Sequence, residues 1–556
     1  MDNSTFPVSA AEHDPPDAPT AASKGYSLPW LPLIFAGVYL LHLPLMRLPY
    51  YWDEGGYYIP AAWDFWRLGT LIPVSTVRNA HPPLPSVLLA AWWHVTGFHI
   101  YSTRLLMCLV TSVALLAVYR LARQTAGQAV AAAVTVLTAL YSVWFAQSTL
   151  AHADMFAAAA TLWALVFYAE SFRDGQGASG AARCGAWVAV CFSLAVLSKE
   201  TAIVTPAALF ALEAVRWWQM RRERGGGAAG RRQAWLVAGL AFPVLPLAAW
   251  YAYHRAKTGF TFGNPEYLRY NATANLSVTR VLLSLWHRLV HLTVHMNLFV
   301  PALLTLATLG LPVLAGRRRL SRSFAVSLVV IICANWVAFS VLGGALLTRY
   351  LLPVYPLLLL LFVCEWQRRV AKWWVLAAVT LVAFAAGCVV NPPYPFAPED
   401  NLAYEDMIRL QQQAIQQVVE HRPGATVLSA WPVTADLQRP ELGYVTHPVR
   451  TAEIQNFTPE EVAKAAQEPG NFDTAIVFST KYNPPPGGLN WASHTTQADA
   501  RYFDAHRDLL PAEVARSLGG TVVWQAERHG QWAAVLQFPR SYDARLGTTT
   551  PTAALR

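Results

Sequence analysis

The stretch LPWLPLIFAGVYLLHLPLMRLPYYWDEGGYY, residues 28–58, runs from an apolar segment straight into two adjacent carboxylates. Residues 28–48 are long and apolar enough to cross a bilayer as a helix, which takes about 20 residues. Asp53 and Glu54 follow this predicted span, with four tyrosines and Trp52 around them. Ionisable groups so near a bilayer are costly unless they are paired or functional. The pair is therefore a candidate site, and a solvated surface loop is the simpler alternative.

The composition of the whole chain is that of an integral membrane protein. Of its 556 residues, 54% are hydrophobic and only 13% are charged. Apolar runs of spanning length recur as far as residue 390, whereas residues 391–556 are typical of a soluble domain. We therefore predict an α-helical polytopic membrane protein with about 11 transmembrane helices and a C-terminal soluble α/β domain. The predicted spans lie near 28–48, 102–120, 128–147, 153–170, 184–198, 202–219, 234–253, 290–314, 324–343, 350–366 and 373–390.

The arginines indicate how these spans are oriented. Most arginines follow the even-numbered spans, and basic loops face the cytoplasm in multi-span proteins. The N-terminus, with a disordered leader at 1–27, is then cytoplasmic, while the loop 49–101 and the domain 391–556 lie outside. Two further loops, at 254–289 and near Arg349, are also predicted outside. The net charge of +9 follows from this arginine bias, so no nucleic-acid partner is predicted.

The C-terminal part begins at NPPYPFAPED, residues 391–400, whose prolines interrupt any helix and indicate a linker. Beyond the linker, alternating and periodic apolar residues predict several elements. These are a helix over 402–418, strands at 425–431 and 473–479, and a hairpin at 521–538. All six cysteines lie in or beside apolar runs of the membrane part, so no disulfide framework is predicted.

More charged residues lie at the predicted outer ends of other spans. Asp154 opens the fourth span, and Lys199 with Glu200 ends the fifth. If these ends converge, one pocket would hold Asp53, Glu54, Asp154, Lys199, His81 and His152. A carboxylate there could accept a proton from an incoming nucleophile while cations hold an anionic leaving group. The alternative is that Lys199 and Glu200 form only an ion pair at a helix end.

The segment LLTRYLLPVYP, residues 346–356, places Arg349 and Tyr350 at the outer mouth of the tenth span. A planar guanidinium donates hydrogen bonds in pairs and is therefore suited to phosphate. An arginine and a tyrosine at an interface can equally serve as membrane anchors.

A metal site is a further option. The segment HRLVHLTVH, residues 287–295, repeats histidine every four positions, but no acid accompanies it in the sequence. A divalent metal ion among Asp53, Asp154 and His81 is possible and left open, and no other cofactor is predicted.

These motifs, in this order, resemble the dolichyl-phosphate-mannose-protein mannosyltransferase superfamily, which has the GT-C membrane fold and includes the bacterial lipid A aminoarabinose transferases. The resemblance covers residues 28–390. It rests on the Asp-Glu pair, the PPL turn at 82–84, the Ala-Asp-Met at 153–155 and the Arg-Tyr-x-x-Pro-x-x-Pro at 349–356. The aminoarabinose transferases have a lysine before the PPL turn, where this chain has His81.

The resemblance implies an inverting glycosyltransferase that uses a polyprenyl-phosphate-linked sugar donor and a lipid, glycan or protein acceptor. It implies that residues 28–390 form the catalytic domain, in the inner (cytoplasmic) membrane of a bacterium, with chemistry at the outer face. Asp53 would be the catalytic residue, supported by Glu54, and Asp154 would match the acid of the fourth span. The residues that would bind the donor phosphate are Arg349, Tyr350, His81 and Lys199.

A transporter or flippase of a lipid-linked sugar is the alternative function, because many spans with polar ends also suit transport. Transporters usually hold their ionisable groups near the middle of the bilayer, often within internal repeats. Here the acids lie at predicted helix ends and no repeat is visible. Neither the sugar nor the acceptor follows from the sequence.

Overall fold

The computed structural model describes residues 29–172, 178–224, 227–263, 265, 277–342, 346–482, 501–503 and 508–539. The predicted leader at 1–27 lies outside the described residues. The first part of the chain is helical throughout. Its helices are α1 Trp30–His42, α2 Ile59–Leu68, α3 Leu84–Thr96, α4 Ile100–Ala126, α5 Gln128–Leu140, α6 Ser142–Gln147, α7 Ala153–Glu170, α8 Ala178–Ser198, α9 Val204–Arg224, α10 Ala228–Ala241, α11 Val244–Thr258, α12 Val278–Thr293, α13 Phe299–Leu309, α14 Arg322–Leu342, α15 Tyr355–Arg369 and α16 Trp373–Val389.

Each predicted span coincides with helix, but the predicted number of spans is not confirmed. Within the described ranges, five helices are long and apolar enough to cross a membrane. They are Ile100–Ala126, Ala153–Glu170, Ala178–Ser198, Gly230–Thr258 and Arg322–Leu342. Several other apolar helices are shorter, including α1, α5, α13 and α16. These shorter helices join the others in one core, in which Trp93, Trp144 and Trp366 are almost completely buried.

Three predicted segments differ from the structure in their boundaries. The predicted span at 290–314 is two helices, α12 and α13, separated by a break at Met296, where φ is +47°. Much of the predicted loop 254–289 is helix, since α11 extends to Thr258 and α12 begins at Val278. The predicted span 350–366 starts later, at Tyr355, because Pro356 favours a helix start.

The C-terminal part is an α/β domain around a five-stranded sheet. The strands are β1 Thr426–Ala430, β2 Arg450–Ile454, β3 Thr474–Phe478, β4 Thr521–Arg528 and β5 Gln531–Gln537, and the helices are α17 Ala403–His421, α18 Val433–Gln438, α19 Pro459–Ala465 and α20 Pro511–Leu518. The strand order is β2-β1-β3-β5-β4, with β2, β1 and β3 parallel and β5 antiparallel to both β3 and β4. The predicted hairpin is confirmed, and its turn uses His529 and Gly530, both with positive φ.

Three of the loops rich in arginine meet at one end of the helical body. The side chain of Arg318 lies beside Gly127, which joins α4 to α5. The backbone N–H of Leu314 donates to the carbonyl oxygen of Arg368 at 3.0 Å. The sheet domain lies beyond the other ends of these helices, because α16 leads from the basic end into residues 391–400. The segment with the Asp-Glu pair lies there too, since the Tyr50 N–H donates to the carbonyl oxygen of Leu442.

Candidate active site

The segment that carries the Asp-Glu pair has an unusual backbone. Trp52 has φ of +45°, and residues Glu54–Tyr58 form one π-helical turn that continues into α2. Isolated π turns occur often at functional sites. Gly56 allows this turn to lie close to the sheet domain, since a Cβ there would be 2.8 Å from the Trp431 ring. The turn directs the two adjacent carboxylates in different directions.

Glu54 points into the protein and is fully buried. Its Oε1 accepts from Arg104 Nη1 at 2.5 Å and from the Ala151 N–H at 2.6 Å, and its Oε2 accepts from the Tyr51 N–H at 2.9 Å. Arg104 also donates to the carbonyl oxygens of Leu48, Pro49 and Thr149. Glu54 was predicted to be catalytic, but this enclosure leaves it no route to a substrate, and it anchors the motif segment instead.

Asp53 points the other way, and 34% of its side chain is exposed. Its Oδ2 accepts from Nη2 of Arg349. Arg349 lies in a 3₁₀ turn, Thr348–Leu351, just before α15. Asp154, in the first turn of α7, also approaches this guanidinium, with 3.5 Å between Oδ2 and Nε. Asp53 and Asp154, two members of the predicted pocket, therefore converge in the structure, and they do so on Arg349.

Lys199 completes this charged group. Its Nζ lies 2.5 Å from Asp154 Oδ1 and 3.9 Å from the centre of the Tyr350 ring, a cation–π distance. Burial lowers the pKa of Lys199, and the nearby carboxylate of Asp154 opposes that effect. A small cavity opens among Asp154, Lys199, Arg349 and Tyr350 and continues along Phe339. This cavity places the cations of Lys199 and Arg349 beside the buried carboxylate of Asp154, while Asp53 contacts Arg349 from outside the cavity lining.

A third carboxylate on Arg349 was not predicted. Glu399 lies in the presumed linker, in a short 3₁₀ turn, Pro398–Asp400, and accepts from Arg349 Nη1 at 2.7 Å. It is 4% exposed. Burial raises the pKa of Glu399 to about 8, although Arg349 acts in the opposite direction. The criterion that selected Asp53, an acid at an outer helix end, would also have selected Glu399, but the prolines around it suggested only a spacer.

His152 and Gln147 complete the surroundings of Arg349. His152 Nδ1 lies 2.8 Å from Gln147 Oε1 and 3.2 Å from Arg349 Nη1. Burial, assisted by the positive charge of Arg349, lowers the pKa of His152 well below its usual value, so this imidazole is neutral. Gln147 Nε2 donates to the carbonyl oxygen of Glu399 at 3.2 Å. Contacts of Gln147 and Arg349 with Glu399 therefore tie the linker to the helical body.

His81 lies beside the charged group and contacts a different acid. Its Nδ1 is 3.1 Å from Glu200 Oε2, and its ring lies 5.4 Å from that of Tyr57. Lys199 and Glu200, adjacent in the chain, thus have separate partners, so the alternative that they pair only with each other is wrong. His81 does not line the cavity between Lys199 and Arg349.

The geometry does not identify a metal site. Across the described ranges, no group of three or more histidine, cysteine or acidic side chains could hold a metal ion. Asp53 and Asp154 are engaged by cations, and His81 by Glu200. The histidine repeat at 287–295 is interrupted, because α12 ends at Thr293. An acid from outside the repeat pairs with its last member: His295 Nε2 lies 3.0 Å from Asp400 Oδ2.

The fold and this site define a multi-pass membrane protein with a charged centre where its helices meet a covering sheet domain. Residues 80–250 match the family model of dolichyl-phosphate-mannose-protein mannosyltransferases. The resemblance to this superfamily, predicted from the motifs, is thereby confirmed, and the family match supports a glycosyltransferase. A search of curated proteins found no match to the chain.

Two solved structures share the fold. The crystal structure of ArnT from Cupriavidus metallidurans bound to undecaprenyl phosphate matches with a TM-score of 0.55 and 14% identity, covering 92% of this chain and 98% of that one. The apo structure of the same protein matches with a TM-score of 0.54 and 15% identity, with the same coverage. At this identity the likeness concerns the fold alone, and it includes the sheet domain because nearly all of both chains is covered.

Proposed function

We propose that the protein is an inverting glycosyltransferase that moves a sugar from a polyprenyl-phosphate carrier to an acceptor at the outer face of the membrane. The observation that carries this proposal is the pairing of a partly exposed carboxylate, Asp53, with a buried guanidinium, Arg349. This arrangement offers a proton acceptor and an anion-binding group side by side. Residues 28–390 would form the catalytic domain, and residues 391–556 an extracytoplasmic domain that covers it.

In the proposed reaction, the acceptor hydroxyl attacks the anomeric carbon of the donor sugar. Its oxygen forms the new glycosidic bond as the bond from that carbon to the phosphate oxygen breaks. Asp53 takes the hydroxyl proton, and polyprenyl phosphate leaves as an anion. A single displacement of this kind inverts the anomeric centre. General-base catalysis by a positioned carboxylate contributes roughly 10²–10⁴-fold.

The cations stabilise the leaving phosphate in this scheme. Arg349 and Lys199 provide donors and positive charge at the cavity, and Tyr350 lines its wall. Preorganised cations in a site shielded from water stabilise developing negative charge strongly. Asp154 holds Lys199 in place at 2.5 Å. His81, outside the cavity lining, would contact the donor at its edge.

The test is the Asp53→Asn variant, which keeps the shape of the side chain and removes the base. We expect transfer to fall by about 10²–10⁴-fold, while the variant still inserts in the membrane and binds undecaprenyl phosphate. The measurement is mass spectrometry of lipids and surface glycans from cells that carry the wild-type gene, the variant or no gene.

Asp406→Asn is the matched control, since Asp406 pairs with His529 on the sheet domain at 2.8 Å, away from Arg349. It should leave the transferred sugar unchanged. Full transfer by Asp53→Asn would disprove the role of Asp53. The transporter would be favoured instead if the wild-type gene changes no lipid or glycan in cells and the protein moves a lipid-linked sugar across the membrane of vesicles.

A further inference from the structure

Arg349 has more negative charge around it than it can neutralise. Asp53, Asp154 and Glu399 all lie within ion-pair distance of its guanidinium. Lys199 supplies one further positive charge, which Asp154 already uses. A phosphate anion that binds Arg349 therefore competes with three carboxylates for the same guanidinium. Like charges at such short distances repel one another strongly in a low-dielectric site.

Glu399 is the carboxylate in this group that is best placed to lose its charge. Asp53 is partly exposed to water, and Asp154 is in direct contact with Lys199 as well as Arg349. Glu399 is buried, and its only ion pair among the described residues is the one with Arg349. A buried carboxylic acid next to other carboxylates is the group that most readily keeps a proton.

The groups that face Glu399 come from several elements. Arg349 contacts the carboxylate of Glu399 from the 3₁₀ turn before α15, and Gln147, at the end of α6, donates to its backbone carbonyl oxygen. Neutral His152, just before α7, contacts the same guanidinium. Asp53 and Asp154 lie on the far side of the guanidinium. The neighbouring Asp400 is engaged by Thr348 and His295. None of these neighbours supplies a second cation to Glu399.

We propose that Glu399 is a positioning residue that must carry a proton whenever Arg349 holds the phosphate of the donor or product. This inference rests on the proposed function, because it takes Arg349 as the phosphate-binding group. The proton comes from water and returns to it when the lipid phosphate leaves. Deprotonated, Glu399 carries a negative charge beside Arg349 and opposes the anion. Protonated, it no longer carries that charge, while its carbonyl oxygen can still accept the hydrogen bond from Arg349.

The direction of the pH effect follows from the pKa of Glu399, which burial raises to about 8. At pH 7 Glu399 is mostly protonated, so phosphate binding is not opposed. At pH 9 it is mostly ionised, and binding has to restore the proton. The affinity of the wild-type protein for undecaprenyl phosphate should therefore fall about tenfold from pH 7 to pH 9, as expected for one linked proton over this range.

The experiment measures the binding of undecaprenyl phosphate to the full chain in detergent at pH 7 and pH 9. Glu399→Gln keeps the shape and remains neutral. We expect it to bind as tightly as the wild type at pH 7 and about tenfold tighter than the wild type at pH 9. Glu365→Gln is the matched control, since Glu365 pairs with Arg368 and Arg369 on α15, toward the basic end. It should keep the pH dependence of the wild type.

Undecaprenol, which lacks the phosphate, is the control ligand and should show no such dependence. If Glu399 has only a structural role, Glu399→Gln should bind undecaprenyl phosphate more weakly than the wild type at both pH values. An equal change in affinity with pH for wild type and variant would also disprove the inference. Either result would leave the proposed function intact. Failure of the wild type to bind undecaprenyl phosphate at either pH would overturn both. If Glu399→Gln does not fold, a pH-independent affinity of the wild type is the result that overturns the proposal.

Discussion

Arg349 bridges residues that are far apart in the chain, and its side chain is almost fully buried. Asp53, Asp154 and Glu399, its acidic partners, come from the motif segment, from α7 and from the linker. Each of these carboxylates depends on the guanidinium for its position. A buried charge with several partners of opposite sign is costly to remove, because the partners remain buried without compensation.

Arg349→Ala should weaken the binding of undecaprenyl phosphate by about 10- to 100-fold, as expected when a charged hydrogen-bond donor worth about 1.5–3 kcal/mol is lost. The remaining carboxylates would add repulsion to this loss. Arg369→Ala, at the basic end of α15, is the control and should bind normally. Unchanged affinity in Arg349→Ala would remove its phosphate role.

Glu54 gives a second prediction at this scale, one that concerns stability. Glu54→Gln leaves Arg104 buried with its charge uncompensated, which typically costs about 3–5 kcal/mol of unfolding free energy. Thermal unfolding in detergent should show a large decrease in melting temperature. Glu405→Gln breaks the surface pair with Arg409 and should cost well under 1 kcal/mol. Equal shifts for the two variants would contradict the anchoring role of Glu54.

At the scale of elements, the π-helical turn and the sheet domain form one unit. The Tyr50 N–H donates to the carbonyl oxygen of Leu442 at 3.1 Å, and the Tyr444 hydroxyl donates to the carbonyl oxygen of Tyr50 at 3.2 Å. The ring of Trp431 covers Gly56. The sheet domain therefore holds the backbone that aims Asp53.

Gly56→Ala should disturb this contact, since the added Cβ would meet the Trp431 ring at 2.8 Å. Overpacking of this kind costs about 1–3 kcal/mol, and we expect lower thermal stability together with reduced transfer. Gly37→Ala is the control, because nothing lies within 4 Å of a Cβ at Gly37. A melting temperature equal to that of the wild type for Gly56→Ala would show that the sheet domain is not closely packed against the turn.

At the scale of the whole molecule, the basic loops and the carboxylate site occupy opposite ends of the helices. The contact of Arg318 with Gly127 lies at one end, and the pair of Arg349 with Asp53 at the other. Because basic loops face the cytoplasm, this separation supports the proposed outer position of the site and of the sheet domain.

Alkaline phosphatase fusions test this orientation, since the enzyme is active only outside the cytoplasm. A fusion after residue 556 should be active, and a fusion after Gly227, between α9 and α10, should be inactive. Expression of both fusions is checked by immunoblot. The opposite pattern of activity would place the site in the cytoplasm and contradict the proposed topology.

Much of the fold and part of the site could be predicted from the sequence. The positions of the apolar helices, the α/β character of the tail and the hairpin at its end all follow from local periodicity. Asp53, Asp154, Lys199 and Arg349 could be named because they stand at the predicted outer ends of apolar runs, and Tyr350 because it follows Arg349 in the motif. The break at Met296 was missed, because an apolar pattern continues across it.

By itself, the sequence determined that helices form in the membrane part, and which charged residues stand at their ends. The different directions of Asp53 and Glu54, and the arrival of Glu399 at Arg349, were decided only by the tertiary structure. The physical reason is the separation along the chain of the residues that interact. Periodicity reports neighbours within a few turns of a helix, whereas the pairing of Glu399 with Arg349 joins residues fifty positions apart. That pairing depends on how the sheet domain folds back over the ends of the helices.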